Sequence, residues 1–431
     1  MDLFQIFAIL LVLTAGVAWL NHRYLGLPTT IGLMVITLAL SLLFIFVGPL
    51  DHRLEEEAAR VLESIDFDRT LLHGVLGFLL FAGALHVDLS DLRRHGLVVG
   101  ILATIGTALS TVIVGGVAWV VLLGLGIPIP LLHALLFGVL ISPTDPIAVL
   151  AMLKSVGVPR RLEVQIAGES LFNDGVGVVL FLGLLEMVRV EPRSGEIGLH
   201  IIARLFAQEA IGGILFGLVA GAAAYHMLKS IDGYQIEILI SLALVTGGYA
   251  LADALHLSAP LAMVVAGLLI GNQGRAFAMS DRTREHLDTF WELVDEILNA
   301  VLFVLLGLEV FVLTFQGAYV VAGLVVIPVV LGARFLAVGI PVRLLARSRE
   351  FAPHTVKILT WAGLRGGISV ALALSLRSWL PAATTDVLLV MTYMVVVFSV
   401  VVQGLTIERV LRRYAVTSPP EPAGGRPGGQ G

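Results

Sequence analysis

Thirteen long apolar windows decide what this chain can become. A hydrocarbon layer about 30 Å thick is crossed by roughly 20 apolar residues of helix. Windows of about that length recur near 3–20, 29–49, 70–88, 96–124, 129–154, 160–189, 200–228, 234–256, 258–272, 288–314, 317–346, 353–377 and 383–411. Lipid offers peptide groups no water to bond with, so a crossing segment must satisfy its own backbone, and windows this long do so as helices. Composition agrees: 58% of the 431 residues are hydrophobic and 14% charged, where soluble domains carry about 25% charged residues. The expected fold is an all-α polytopic membrane protein of about 13 transmembrane helices, filling 1–414.

Between the windows the chain is polar and short. Segment 51–68, with Glu55, Glu56 and Glu57, reads as an external amphipathic loop or surface helix. Residues 415–431 are rich in proline and glycine and read as a disordered cytoplasmic tail. The first window has no basic stretch before it, so it reads as a membrane helix rather than a cleaved signal.

Basic residues favour the cytoplasmic side of membrane proteins. With the N-terminus outside, the internal loops collect sixteen, among them Arg93, Arg94, Arg160, Arg161, Arg412 and Arg413, and the external loops six: Arg53, Arg60, Arg69, Arg189, Arg193 and Arg377. One miscounted window would scramble that alternation. The bias therefore supports thirteen spans with a cytoplasmic C-terminus, and the simple tail suits a multi-pass protein of a cell (inner) membrane. A net charge of −5 gives no reason to expect nucleic acid, and the absence of cysteine excludes disulfides and thiolate sites.

Two windows are broken. The fifth contains Ser142-Pro143-Thr144-Asp145-Pro146. Proline removes a backbone donor and clashes one turn back, so two of them around a polar pair should unwind the helix; the plainer reading is a kink. The twelfth contains Gly363-Leu364-Arg365-Gly366-Gly367, a charge among glycines. Interrupted helices at matching positions of two repeats point to a transport site. The expected arrangement is two inverted six-helix repeats, inferred from position alone, whose discontinuous helices cross at the midplane. Arg365 would compensate half-helix C-termini and Asp145 half-helix N-termini.

The sixth window carries Gly168-Glu169-Ser170-Leu171-Phe172-Asn173-Asp174-Gly175. Each charge placed in lipid costs roughly 2.5–3.5 kcal/mol on insertion scales. On a helix Ser170 and Asp174 share a face, while Glu169 points elsewhere and needs a partner. Arg334, mid-way along the eleventh window, is the candidate for a buried structural ion pair. Asp174 has only oxygen-bearing neighbours in prospect, Ser170, Thr144 and Asp145, which suits alkali or alkaline-earth cations rather than zinc or copper. One carboxylate holds a proton or such a cation, not both; the plainer reading is that Asp174 caps helix contacts.

These strings, with Phe290 to Glu309, resemble the monovalent cation:proton antiporter-1 class of bacterial Na+/H+ antiporters, the NhaP/NHE-like group, over nearly all of the membrane region. The resemblance implies an NhaA-like fold and a homodimer: dimerisation spans near 3–49 and 200–272, core spans near 70–189 and 288–314 with part of 317–411, and elevator-type movement of the core. It implies that Asp174 binds the ion and the proton, with Ser170, Asp145 and the main chain at Thr144 completing a Na+ shell. Asn173 stands where electrogenic relatives carry a second aspartate, which implies electroneutral one-for-one exchange. Glu169, Arg334 and Arg365 would be structural. The partners implied are a monovalent cation and membrane lipid, without a cofactor and without enzymatic chemistry. One departure is that some archaeal relatives use a third-span glutamate, where this chain offers only His86 and Asp88.

Exchange of Na+, with Li+ as a further substrate, is the expected activity. A K+/H+ antiporter on the same scaffold is the rival, a cation channel a more distant one, and a hydrolase lacks a base within reach of Ser170. Glu292, Asp295 and Glu296 could form an acidic funnel or simply a solvated helix end.

Overall fold

The computed structural model of the protein describes residues 3–47, 75–145, 149, 153, 156, 158–194, 207–347 and 351–414. The surface helix expected at 51–68 and the tail expected at 415–431 lie outside the described residues. Within them the chain is helical, with no strand and one isolated antiparallel bridge between Asp145 and Leu364. Seven helices are long and apolar enough to cross a membrane, and four shorter apolar ones accompany them. The chain is an integral, multi-pass membrane protein.

In chain order the helices are α1 (Leu3–Leu20), α2 (Thr29–Val47), α3 (Leu76–Leu85), α4 (Leu89–Ile101), α5 (Thr107–Gly124), α6 (Leu131–Ile141), α7 (Arg160–Ser194) and α8 (Gly212–Lys229). There follow α9 (Tyr234–Ala254), α10 (Ala259–Leu269), α11 (Asp281–Leu308), α12 (Gly317–Leu345), α13 (Thr355–Ala362), α14 (Gly367–Ser375), α15 (Ala382–Phe398) and α16 (Gly404–Tyr414). A π-helical turn, Leu102–Gly106, runs α4 into α5, and another, Ser399–Gln403, runs α15 into α16.

Local chemistry sets several boundaries. Asp88 accepts hydrogen bonds from the Ser90 N–H at 2.7 Å and the Ser90 hydroxyl at 2.6 Å. That capping satisfies a polar first turn, so the helix starts at Leu89 rather than near 96. Ser280 accepts from the Thr283 N–H at 3.4 Å and caps α11. Ser258 caps α10 in the same way, with Pro260 in the first turn, where a missing N–H costs nothing.

Small residues let helices close up where no hydrophobic force separates protein from lipid. Gly213, Gly217 and Gly221 of α8 face Ser258, Ala262 and Ala266 of α10, so closely that a methyl group would strike the partner backbone at the first two. Trp291 of α11, fully buried, packs on Phe81 of α3 and donates to the Ser241 hydroxyl of α9 at 3.0 Å. It ties that bundle to the helix that lines the site.

Candidate functional site

The site forms where the two interrupted windows meet. α6 stops at Ile141, and the chain runs unwound through Ser142 to Asp145. α13 stops at Ala362, and the chain is unwound until α14 begins at Gly367. The two segments pair: the Asp145 N–H donates to the Leu364 carbonyl at 2.8 Å. Arg365, 2% exposed, lies in the crossing. Its Nη1 donates to the carbonyls of Ser142 and Pro143, at 2.5 and 2.6 Å, and its own N–H donates to the Ser399 hydroxyl at 2.9 Å. A helix C-terminus leaves such carbonyls unpaired, and a guanidinium supplies both charge and donors. The Asp145 carboxylate lies against Gly366, the residue that precedes the first turn of α14. A negative group is there at a helix N-terminus, where the dipole favours it.

α7 presents its polar residues to this crossing. Asn173 Oδ1 accepts from the Thr144 N–H at 3.1 Å, and its Nδ2 donates to the Thr144 hydroxyl at 2.9 Å. The Thr144 and Ser170 hydroxyls share a hydrogen bond of 2.9 Å. Thr144, Ser170 and Asn173 therefore form a buried clamp that holds the unwound segment on α7. On the far side of the helix Arg334 Nη1 donates to Glu169 Oε1, with both side chains buried.

Asp174 differs from these neighbours. It is 7% exposed, receives no hydrogen bond from the described residues, and lines a cavity of ≈ 330 Å³ with Asp145, Ser369, Asn299 and Asp295. Glu292 and Glu296 of α11 and His86 at the end of α3 complete its polar wall, and Leu76, Leu80 and Leu302 are among its apolar lining. Burial deepens along the α11 face: Glu292 and Glu296 are exposed, Asp295 is half-buried and Asn299 is buried. The cavity thus grades from a solvated acidic mouth to a buried carboxylate.

Of the residues singled out from the sequence, Asp174 and Asp145 line the cavity, and Thr144, Ser170 and Asn173 stand behind it. His86 lines the cavity, whereas Asp88 is engaged in capping α4. The three acidic residues of α11 belong to the cavity wall, and two of them, Glu292 and Glu296, are also solvent-exposed. Asn299 and Ser369 escaped the sequence reading. Their signal was present but weak: a polar residue one turn after Asp295, and a serine one turn after Arg365.

The sodium/hydrogen exchanger transmembrane family matches residues 9–413. The Na+/H+ antiporter NhaP of Pseudomonas aeruginosa is 47% identical over 97% of this chain and 98% of its own length. The Na+/H+ antiporter NhaH of Halobacillus dabanensis is 35% identical, over 88% of this chain and 92% of its own. The structure of the sodium proton antiporter MjNhaP1 from Methanocaldococcus jannaschii at pH 8 superposes with a TM-score of 0.73, at 22% identity, over 95% of this chain and 98% of that one; at that identity the likeness speaks for the fold. On the extent of these matches the chain belongs to the sodium/hydrogen exchanger family, within the monovalent cation:proton antiporter-1 class.

Proposed function

We propose that the protein is a secondary antiporter that exchanges Na+, and Li+ through the same site, for H+. The observation that carries this is the Asp174 carboxylate: buried, facing a cavity, and without a hydrogen-bond donor among the described residues, while the polar residues around it are tied to one another. A carboxylate in that setting is stabilised either by a proton or by a cation. Because one group serves both ions, binding of one expels the other, and that competition couples their movements. The similarity to proteins named as Na+/H+ antiporters supports the choice of ions.

The clamp refines the reading. Asn173 is held by Thr144 at both ends of its amide and, being an amide, carries no exchangeable charge, so Asp174 is the acid positioned to carry a proton, and exchange is one for one and electroneutral. Ser170 and Thr144 position the crossing, and the Ser170 hydroxyl, which keeps a lone pair beside its one hydrogen bond, and the main chain at Thr144 complete the shell of a Na+ at Asp174 and Asp145. The α7 face and both interrupted windows then move together as a core against dimerisation spans near 3–49 and 200–272, in a homodimer. Thirteen crossings in two inverted repeats, with the N-terminus outside the inner membrane and the C-terminus in the cytoplasm, put the acidic mouth on the cytoplasmic side.

Proton flux in everted vesicles tests the proposal, with Na+, Li+ and K+ added in turn. Na+ and Li+ should dissipate a pre-formed pH gradient and K+ should not. Asp174→Asn should abolish the response, and wild-type flux in that variant would overturn the mechanism. A response to K+ alone would transfer the same carboxylate chemistry to the K+ reading.

A further inference from the structure

Glu292, Asp295, Glu296 and Asn299 follow one another at helical spacing along a single face of α11, since residues three and four apart are neighbours on a helix. The first three would attract any cation. Asn299 is different in kind. It is 1% exposed and stands in the wall of the cavity. Its Nδ2 donates to the Asp295 carbonyl at 2.8 Å. A carbonyl only accepts, so this bond fixes which end of the amide is nitrogen and which is oxygen. The oxygen, Oδ1, has no donor among the described residues. Buried polar atoms are nearly always paired, and an orphaned amide oxygen on a residue that lines a cavity asks for a hydrogen-bond donor or a cation.

We propose that Asn299 Oδ1 and the Asp295 carboxylate, one turn before it, form a second monovalent-cation site between the mouth of the cavity and Asp174. Oxygen donors of this type suit an alkali cation. One charged and one neutral ligand make a site weaker than one built on several carboxylates, and a route through a protein needs sites that hold an ion briefly and release it. Asp145 and Ser369 line the same cavity and supply the next oxygens inward. The nature of the cation rests on the exchange reading above; the existence of the site does not.

The test uses binding rather than transport. Purified Asp174→Asn protein, which lacks the principal carboxylate, is titrated with radiolabelled Na+ in a scintillation proximity assay. Saturable binding should persist. Adding Asn299→Leu should weaken it about tenfold or more, the scale for losing a hydrogen-bond-class contact to a charged group, while Asn299→Asp, which keeps an oxygen there, should retain it. Asn299→Leu changes no charge, so its effect separates a ligand oxygen from diffuse attraction by Glu292 and Glu296. Asn299→Ala is carried in parallel because it removes the same oxygen without adding volume. Absence of saturable binding in Asp174→Asn, or equal binding with and without Asn299, overturns the second site. Failure of the wild-type protein to exchange Na+ for H+ would instead overturn the functional reading and leave the binding result standing.

Discussion

Two carboxylates five residues apart on α7 have opposite fates. Asp174 faces a cavity without a donor among the described residues, and Glu169 is locked to Arg334 of α12. Helical geometry explains the split, because five residues advance about 140° past a full turn. That much was legible in the sequence, including the identity of the partner. The role of Asn173 was less so: the sequence showed an amide beside Asp174, and the structure adds that this amide is taken up by Thr144. A single sequence shows that an amide is present but not which backbone it meets. The ion pair has a measurable consequence. Removing one member of a buried pair strands the other and costs roughly 3–5 kcal/mol, while replacing both with apolar groups is often near neutral. Glu169→Leu and Arg334→Met should each lower the thermal unfolding midpoint in detergent, and the double variant Glu169→Leu with Arg334→Met should recover a large part of the loss. If the double variant falls by the sum of the singles, the pair is not acting as a unit.

At the scale of elements, proline alone did not predict where helices break. Pro328 and Pro341 both sit inside α12, which continues unbroken from Gly317 to Leu345. Pro143 lies in a segment that is unwound. The difference is the second segment crossing it, which supplies Arg365 to the freed carbonyls and the Leu364 carbonyl to the Asp145 N–H. Backbone freed from a helix at membrane depth persists where protein re-satisfies it, and the glycines of the twelfth window announced that partner. The sequence carried no comparable sign of the π-helical turn at Ser399–Gln403, whose Ser399 hydroxyl receives the Arg365 N–H, because a widened turn needs no distinctive residue. Gly366 tests the crossing. Its φ of −118° and ψ of −162° are open to any residue, so alanine there introduces no backbone strain. The added methyl group would instead approach Asp145 Cβ and Cγ to 2.9 and 3.0 Å and collide with a carboxylate oxygen. Overpacking of this kind costs about 1–3 kcal/mol. Gly366→Ala should therefore fold, displace Asp145 and slow Na+-driven proton flux in proteoliposomes by about tenfold, one decade per 1.4 kcal/mol. Flux at the wild-type rate would show that the position of Asp145 does not matter.

For the whole molecule, the apolar windows foretold a helical membrane protein because lipid leaves the backbone so few alternatives, and the described helices overlap those windows, although α4 begins before its window at Leu89, α11 before its own at Asp281, and α7 runs on past its window to Ser194. What hydropathy leaves open is how many of them cross. The described helices of windows 70–88 and 129–154, α3 and α6, have 10 and 11 residues, with parts of both windows outside the described residues, and α11 carries too many charges to meet a simple apolar criterion along its length. The count matters because orientation is cumulative: each window that fails to cross exchanges inside for outside for everything after it. The chain contains no cysteine, so single cysteines can be introduced without first clearing a background. Tyr24, Ser230 and Phe277 are exposed at positions that thirteen crossings put in the cytoplasm, and Phe315 and Trp379 are exposed at positions that the same count puts outside. In right-side-out vesicles a membrane-impermeant maleimide should label Phe315→Cys and Trp379→Cys and spare Tyr24→Cys, Ser230→Cys and Phe277→Cys; everted vesicles should reverse the pattern. If one window lies flat or dips back, all sites beyond it switch sides and those before it do not, so the position of the first reversal brackets the failing window between two labelled sites. A reversal between Ser230 and Phe277 would single out the eighth and ninth windows, turn the mouth of the α11 cavity to the outside, and require the release and uptake faces of the proposed exchange to be interchanged.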